Sequence, residues 1–146
     1  MIGDAKKILC PIEFDESFLK ALMLAKQLAQ HNGGTLYLMH VVPEGDPLVI
    51  GSAAKPHHDE VLAKQELERV VSEHLQGVSA QIVLRVGDAA EEVVKAEQQL
   101  GIDLVVMPTH ANAGLFHLLT NRVADQVIHT SSCPVLTLSD NAWSRV

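Results

Sequence analysis

The residues best placed to bind a small molecule lie between positions 107 and 123. An unbroken apolar run, 104–107, leads there into Pro108-Thr109-His110-Ala111-Asn112-Ala113-Gly114, which is mostly small and polar. A short apolar run predicts a strand buried on both faces, as in the middle of a parallel sheet. Ligands of such sheets bind beyond the carboxyl ends of the strands. We therefore expect any small-molecule site at residues 107–123.

Histidines are candidate metal ligands or anion contacts, and the chain has 8 of them. His57-His58-Asp59-Glu60 joins four residues of ligand type, but neighbours on a helix point in different directions, which favours a solvated helix start. His110 and His117 flank the 107–123 region, where polar roles at a loop and a helix start are favoured over anion binding. His40 lies in a strand and is expected at a sheet end with its ring hydrogen-bonded.

Catalytic groupings are weak in this sequence. Ser131-Ser132-Cys133 precedes a strand without the glycine-rich elbow of a serine nucleophile. Thr109 and His110 are adjacent in sequence, which does not produce the geometry of a nucleophile and its base. The acidic pair Asp15-Glu16 is explained by a helix start. No motif requires an enzyme.

Composition, charge and hydropathy limit the classes of protein to which this chain can belong. At 146 residues, with 47% hydrophobic residues, the chain is expected to form one domain with an ample core. The net charge of −7 and the absence of a basic run disfavour nucleic-acid binding. The longest apolar stretches are too short for a membrane span, and the N-terminus does not read as a signal peptide. Cys10 and Cys133, both beside apolar strand residues, are interpreted as reduced, buried thiols of a cytosolic protein, with a disulfide or a redox pair as the alternative.

Strand-like and helix-like segments alternate along the chain. Pro11 and Pro43 are expected to end the first two strands, and Gly33-Gly34, Gly77 and Gly101 to end helices. Asp15 and Asp88 are candidate N-caps, the latter with Glu91 at capping-box spacing. Strands are predicted at 7–12, 35–42, 78–86, 103–108 and 133–138, and helices from near Phe18, His57 and Ala89, with a fourth whose inner face carries Leu119, Val123, Val127 and Ile128.

Two segments have distinct expected roles. The 78–86 strand alternates apolar and polar residues, which predicts an edge strand with one partly wet face. The 43–56 connection is long for a compact domain and carries the apolar triplet Leu48-Val49-Ile50, so we expect it to cover a cleft or meet a partner. The β-α-β-α-β-α-β-α-β order predicts an α/β fold, a parallel five-stranded sheet with helices on both faces.

Five stretches of the chain, in order, resemble the universal stress protein (UspA-like) family: Ile8–Phe14, Met39–Val42, Val86–Glu92, Leu104–His110 and Ser132–Leu136. The resemblance implies one domain over residues 1–140 and a polar tail at 141–146. It implies a Rossmann-like fold of the adenine nucleotide alpha hydrolase-like type, with strand order 3-2-1-4-5. It also implies a cytoplasmic role in the stress response and a homodimer through the last strand, here Val135 and Leu136.

Some members of that family hold ATP through the pattern G-x2-G-x9-G-[S/T], which falls here on Pro108, Ala111, Asn121 and Arg122. All four motif residues are replaced. Pro108 has no N–H for a phosphate, and Ala111 and Asn121 add Cβ atoms where the backbone must approach it. The nucleotide-pocket positions that the resemblance implies are Pro11, Ile12, Glu13, Val41, Met107, Pro108, Ala111, Asn121, Arg122 and Val123.

Three functions follow from these observations. The first is a dimeric stress protein that acts through protein contacts, needs no cofactor and lacks the glycine-motif ATP site. The alternative is a switch that binds ATP or AMP between Glu13, Val41 and residues 107–123, with Arg122 in place of the glycine-rich phosphate cradle. A slow ATPase is the third and least supported function.

Overall fold

The fold was analysed in a computed structural model that describes residues 2–14, 18–44, 56–109 and 121–139, with the side chains of 56–58 and 121 outside that description. Strands and helices alternate after a short 3₁₀ turn at Ile2–Asp4. The strands are β1 (Lys7–Pro11), β2 (Thr35–Val42), β3 (Ser79–Val86), β4 (Leu104–Thr109) and β5 (Val135–Ser139). The helices are α1 (Phe18–Asn32), α2 (Pro56–His74), α3 (Ala89–Leu100) and α4 (Asn121–Thr130).

The described strands form one parallel sheet in the order β3-β2-β1-β4-β5. Each of the first four strands is followed by a helix that returns the chain to the end of the sheet where the strands begin, as a parallel connection requires. The chain first builds outward from β1 to β3 and then resumes on the other side of β1 with β4. Both the α/β class and the strand order are therefore confirmed, and β3 is the edge strand that its alternation predicts.

Two hydrophobic clusters cover the two faces of the sheet. One joins β1 and β2 to α1 and α2, with Ile8, Leu22, Leu38 and Leu67 fully buried. The other joins the opposite face to α3 and α4, with Leu9, Met39, Val93 and Val127 among its residues. Because strand side chains alternate, neighbouring residues of β1 and β2 belong to opposite clusters.

Several local signals are confirmed. The Asp88 carboxylate accepts a hydrogen bond from the Glu91 backbone N–H and caps α3, and Gly101 ends α3 in the left-handed region with φ of 66°. Gly34 has another reason for being glycine, because a Cβ there would lie 2.2 Å from the Lys6 carbonyl oxygen. The turn into β2 therefore passes too close to the start of β1 for any side chain.

Some sequence predictions need correction. Ile128, expected on the inner face of α4, is 47% exposed, because the inward face of that helix follows Ala124 and Val127 instead. β5 begins at Val135 rather than Cys133, because residues 131–134 form a turn. Cys10 is buried as predicted, whereas Cys133 is half-exposed. Both are free thiols, and they pack on opposite faces of the sheet.

Other predictions fall on residues outside the described ranges. They concern the Asp15 cap, most of the 43–56 connection, Leu119, His110 and His117. Across residues 2–14, 18–44, 56–109 and 121–139, no helix has the length and apolar character needed to cross a bilayer.

Candidate functional site

An opening in the sheet lies between β1 and β4, at the carboxyl-terminal ends of the parallel strands. The β1–β2 ladder continues to Pro11 opposite Met39, and the β4–β5 ladder to Thr109 opposite Ser139. The β1–β4 ladder, in contrast, pairs only Ile8 with Leu104 and Leu9 with Val105. This is the point where the strand order reverses, and doubly wound sheets bind ligands there.

Two prolines explain why the ladder stops. Successive backbone N–H groups of a strand point to opposite sides. The Ile12 N–H donates to the Met39 carbonyl on the β2 side, and the Val105 N–H donates to the Pro134 carbonyl on the β5 side. The nitrogens of Pro11 and Pro108 therefore face each other's strand, and neither carries a hydrogen. At these two positions, neither β1 nor β4 therefore offers a backbone N–H donor to the opening.

The end of β1 is fixed by His40 of β2. The His40 Nδ1–H donates to the Ile12 carbonyl oxygen at 2.9 Å, since a carbonyl can only accept. Burial lowers the pKa of His40, although the bond to Ile12 and the nearby Glu13 carboxylate both oppose that shift. The ring is therefore neutral near pH 7, and the expected hydrogen bond at the sheet end is confirmed.

The structure brings several of the expected pocket residues to this edge. Ile12, Val41 and Met107 are buried, and Glu13 is only 9% exposed. Pro108 is buried within β4, Val123 is half-buried in the first turn of α4, and Arg122 beside it is exposed. Asn121 begins α4, and Ala111 lies outside the described residues. The nucleotide pocket at these residues stays a prediction.

Sequence analysis missed a buried carboxylate near the other end of the strands, just before β5 begins. Glu97 of α3 is 1% exposed and accepts hydrogen bonds from the Ser132 N–H at 2.8 Å and from the Ser131 and Ser132 hydroxyls at 2.5 Å each. Burial raises its pKa, but these hydrogen bonds outweigh that effect and hold the pKa below its ordinary value. Glu97 therefore fixes the turn that leads into β5, and this explains the late start of that strand.

Within the described part of the chain, no group of three metal-ligating side chains comes together. The His57-His58-Asp59-Glu60 hypothesis involves two side chains outside that part, so it is not tested there.

An open parallel sheet with helices on both faces and a reversal of strand order beside β1 defines the class of Rossmann-like domains. Residues 5–139 match the model of the universal stress protein family. The chain therefore belongs to the universal stress protein family, as its five sequence stretches indicate.

Relatives of known sequence and structure agree with this assignment. Universal stress protein MJ0577 of Methanocaldococcus jannaschii is 28% identical, and the match spans 91% of this chain and 94% of that protein. A solved structure of MJ0577 superposes with a TM-score of 0.76 over 92% of this chain and 95% of that chain.

Two further solved structures share the fold. A universal stress protein in complex with cAMP has a TM-score of 0.68 at 17% identity, over 94% of this chain and 98% of its own. A universal stress protein from Archaeoglobus fulgidus in complex with dAMP has a TM-score of 0.66 at 18% identity, over 90% and 96%.

Proposed function

We propose that this protein acts in the cytoplasm as a dimeric, non-enzymatic regulator of a stress response, through contacts with other proteins and without the glycine-motif mode of holding ATP. The observation that carries the proposal is the direction of the Pro108 nitrogen. At this position a glycine would direct its N–H into the opening, where an anion could accept it. Proline removes that donor and also fixes φ.

The other motif positions support the same reading. Ala111 and Asn121 disfavour the left-handed conformations that glycine adopts freely, and Arg122 replaces the small hydroxyl residue with a long side chain. One replaced glycine could be tolerated by a local shift of the backbone. Replacement at all four positions removes the N–H at Pro108 and the hydroxyl at Arg122, and it adds side-chain atoms where glycine leaves space.

The test is an ATP titration by calorimetry on wild-type protein and on three variants. Pro108→Ala restores the N–H but keeps a Cβ, Pro108→Gly restores the N–H without it, and the fourfold Pro108→Gly, Ala111→Gly, Asn121→Gly, Arg122→Ser change restores the motif. We expect no binding by wild type and measurable binding by the fourfold variant, with circular dichroism confirming that each variant is folded. Tight ATP binding by the wild-type protein would contradict the proposal.

The homodimer is proposed to form through β5. Val135 and Leu136 are half-exposed, and they pack toward opposite faces of the sheet. Because the Val105 N–H reaches the Pro134 carbonyl, the backbone groups of Val135 and Thr137 face away from β4. Among the strands that the structure describes, β5 has β4 as its one neighbour, and an outward row of donors and acceptors of this kind is a template for pairing with a second copy.

Light scattering on two variants tests this interface. Thr137→Pro removes an outward N–H and is expected to give a monomer, whereas Thr137→Val keeps the N–H and is expected to remain a dimer. Polar replacement of Val135 or Leu136 is expected to weaken the dimer as well. A Thr137→Pro variant that keeps the dimer mass would show that β5 pairing is not the interface.

A nucleotide-binding switch is the second candidate function. It is supported by the exposed Arg122 at the N-terminus of α4, where a cation and the helix dipole both favour an anion. It is also supported by the complexes of structural neighbours with cAMP and dAMP. If Arg122 holds a phosphate, Arg122→Ala should weaken AMP binding more than tenfold, which corresponds to roughly 1.5–3 kcal/mol for a charge-assisted hydrogen bond. Lys64→Ala, which removes an exposed cation on α2, is the matched control and should leave AMP binding unchanged.

A further inference from the structure

A second concave site lies on the other face of β2, away from the opening between β1 and β4. Its cavity measures about 250 Å³ and is lined by Phe14, His40, Val42, Asp59, Leu62 and Glu66, with Pro43 and Ala63 completing the wall. We call it the His40 pocket. His40 and Val42 lie two apart on β2, so they share the face that carries α1 and α2, whereas Val41 faces α3 and α4. The two sites therefore lie on different faces of the sheet, although His40 adjoins both through its hydrogen bond to Ile12.

The walls of the His40 pocket combine aromatic and aliphatic surface. The Phe14 ring lies against the His40 ring, with centroids 4.4 Å apart and the planes inclined by 36°. Phe14 is 37% exposed and Leu62 is 47% exposed, so both keep apolar surface available to a partner. The volume lies below the roughly 300–1,000 Å³ of pockets that enclose whole drug-sized ligands. The His40 pocket is therefore the right size for a single side chain.

The polar atoms of the pocket are hydrogen-bond acceptors. Because the Nδ1–H of His40 is used by the Ile12 carbonyl and the ring is neutral, Nε2 presents a lone pair. Asp59 and Glu66 lie seven residues apart on α2, on one face of the helix, with Leu62 and Ala63 between them. Arg69 pairs with Glu66 at 2.8 Å, whereas the exposed Asp59 carboxylate has no ion pair with any residue that the structure describes.

We infer that the His40 pocket receives an arginine side chain of a partner protein. Its guanidinium supplies donors and positive charge to Asp59 and His40, its planar face suits the Phe14 ring, and its aliphatic stem suits Leu62 and Val42. The net charge of −7 adds a long-range attraction for basic partners. This inference rests on the proposed function, in which the protein acts through protein contacts, and it names the surface and the chemistry of one such contact.

The test is an NMR titration of ¹⁵N-labelled protein with the peptide acetyl-Ala-Arg-Ala-amide. We expect saturable shifts at the amides of Phe14, Val42, Leu62 and Ala63, in the millimolar range that suits a single side chain. The citrulline peptide, which has the same shape without the charge, should bind at least about fivefold more weakly. A lysine peptide should also bind more weakly, since it lacks the planar fork.

Two variants distinguish binding in the His40 pocket from general attraction to acidic residues. Asp59→Asn should weaken binding of the arginine peptide at least about fivefold, whereas Glu68→Gln, an exposed acid elsewhere on α2, should change it less than about twofold. Absence of shifts up to about 20 mM peptide, or equal binding of the citrulline peptide, would overturn the inference. Equal binding of the lysine peptide would overturn the assignment to arginine. ATP titration reports on the other site, so failure of the proposed function and failure of this inference are distinguishable.

Discussion

Glu97 provides the sharpest stability prediction, because its buried carboxylate holds the turn before β5. Replacing Glu97 by Ala removes the acceptor of the Ser132 N–H and of two hydroxyls. Hydrogen bonds to a charged group are worth roughly 1.5–3 kcal/mol, and the part-buried Ser132 N–H would lose its carboxylate acceptor. The hydroxyls can turn to other acceptors, so we expect Glu97→Ala to lower the free energy of unfolding by about 3 kcal/mol.

Glu97→Gln is the informative comparison. Its amide oxygen can still accept from Ser132, and the Ser131 hydroxyl has the Cys133 carbonyl 3.2 Å away as an alternative acceptor. The expected loss is therefore about 1 kcal/mol, the difference between a charged and a neutral acceptor. Gln98→Ala, at an exposed neighbouring position, is the control and should stay within about 0.5 kcal/mol of wild type.

The assay is urea unfolding followed by circular dichroism, at one fixed protein concentration because a dimer's stability depends on concentration. The slope of the transition should be the same for all variants, so that midpoints report stability. Equal losses for Glu97→Ala and Glu97→Gln, or a loss by Glu97→Ala no larger than that of Gln98→Ala, would refute the role given to the carboxylate.

Three further predictions follow from the same structure. The stabilisation from Glu97 should be full above the unfolded glutamate pKa of about 4.3 and should be lost as the pH falls through its lower folded pKa. In urea titrations at acid pH, the difference in free energy of unfolding between wild type and Glu97→Gln should therefore narrow. A difference that stays constant with pH would contradict the role given to the carboxylate. Gly34→Ala should cost about 3 kcal/mol or more through overlap with the Lys6 carbonyl, whereas Gly3→Ala, with no atom within 4 Å of the added Cβ, should be neutral in the same assay. Burial raises the pKa of the Cys10 thiol to about 12, so mass spectrometry should find Cys10 alkylated by iodoacetamide only after unfolding, and labelling in native protein would show that β1 is accessible.

The fold was predictable because its signals are local. Asp88 and Gly101 bracket α3 with a cap and a left-handed glycine, and the apolar residues between them repeat at helical spacing. The strand order rests on the family resemblance rather than on periodicity, since periodicity identifies strands but not their neighbours. Ile128 was placed wrongly because its apolar character fits either side of a short helix, and only packing shows that Val127 faces inward.

The contacts around the candidate sites were much less predictable. Glu97 occurs in a helix rich in glutamate, and its partners Ser131 and Ser132 are more than thirty residues away in sequence. A glutamate on the inward face of α3, one residue after Ala96, was the available signal. The gap between β1 and β4 depends on which way the nitrogens of Pro11 and Pro108 point, and that direction follows from register rather than from residue type.

The central claim is that the protein does not hold ATP through the glycine-motif site, and a nucleotide inventory tests it most directly. Purified protein is denatured, and the supernatant is analysed by ion-exchange chromatography beside a calorimetric ATP titration of the intact protein. An empty chromatogram and a flat titration are the predicted results. Adenine nucleotide in stoichiometric amount would contradict the account, because it would mean that binding proceeds without the backbone N–H that Pro108 lacks.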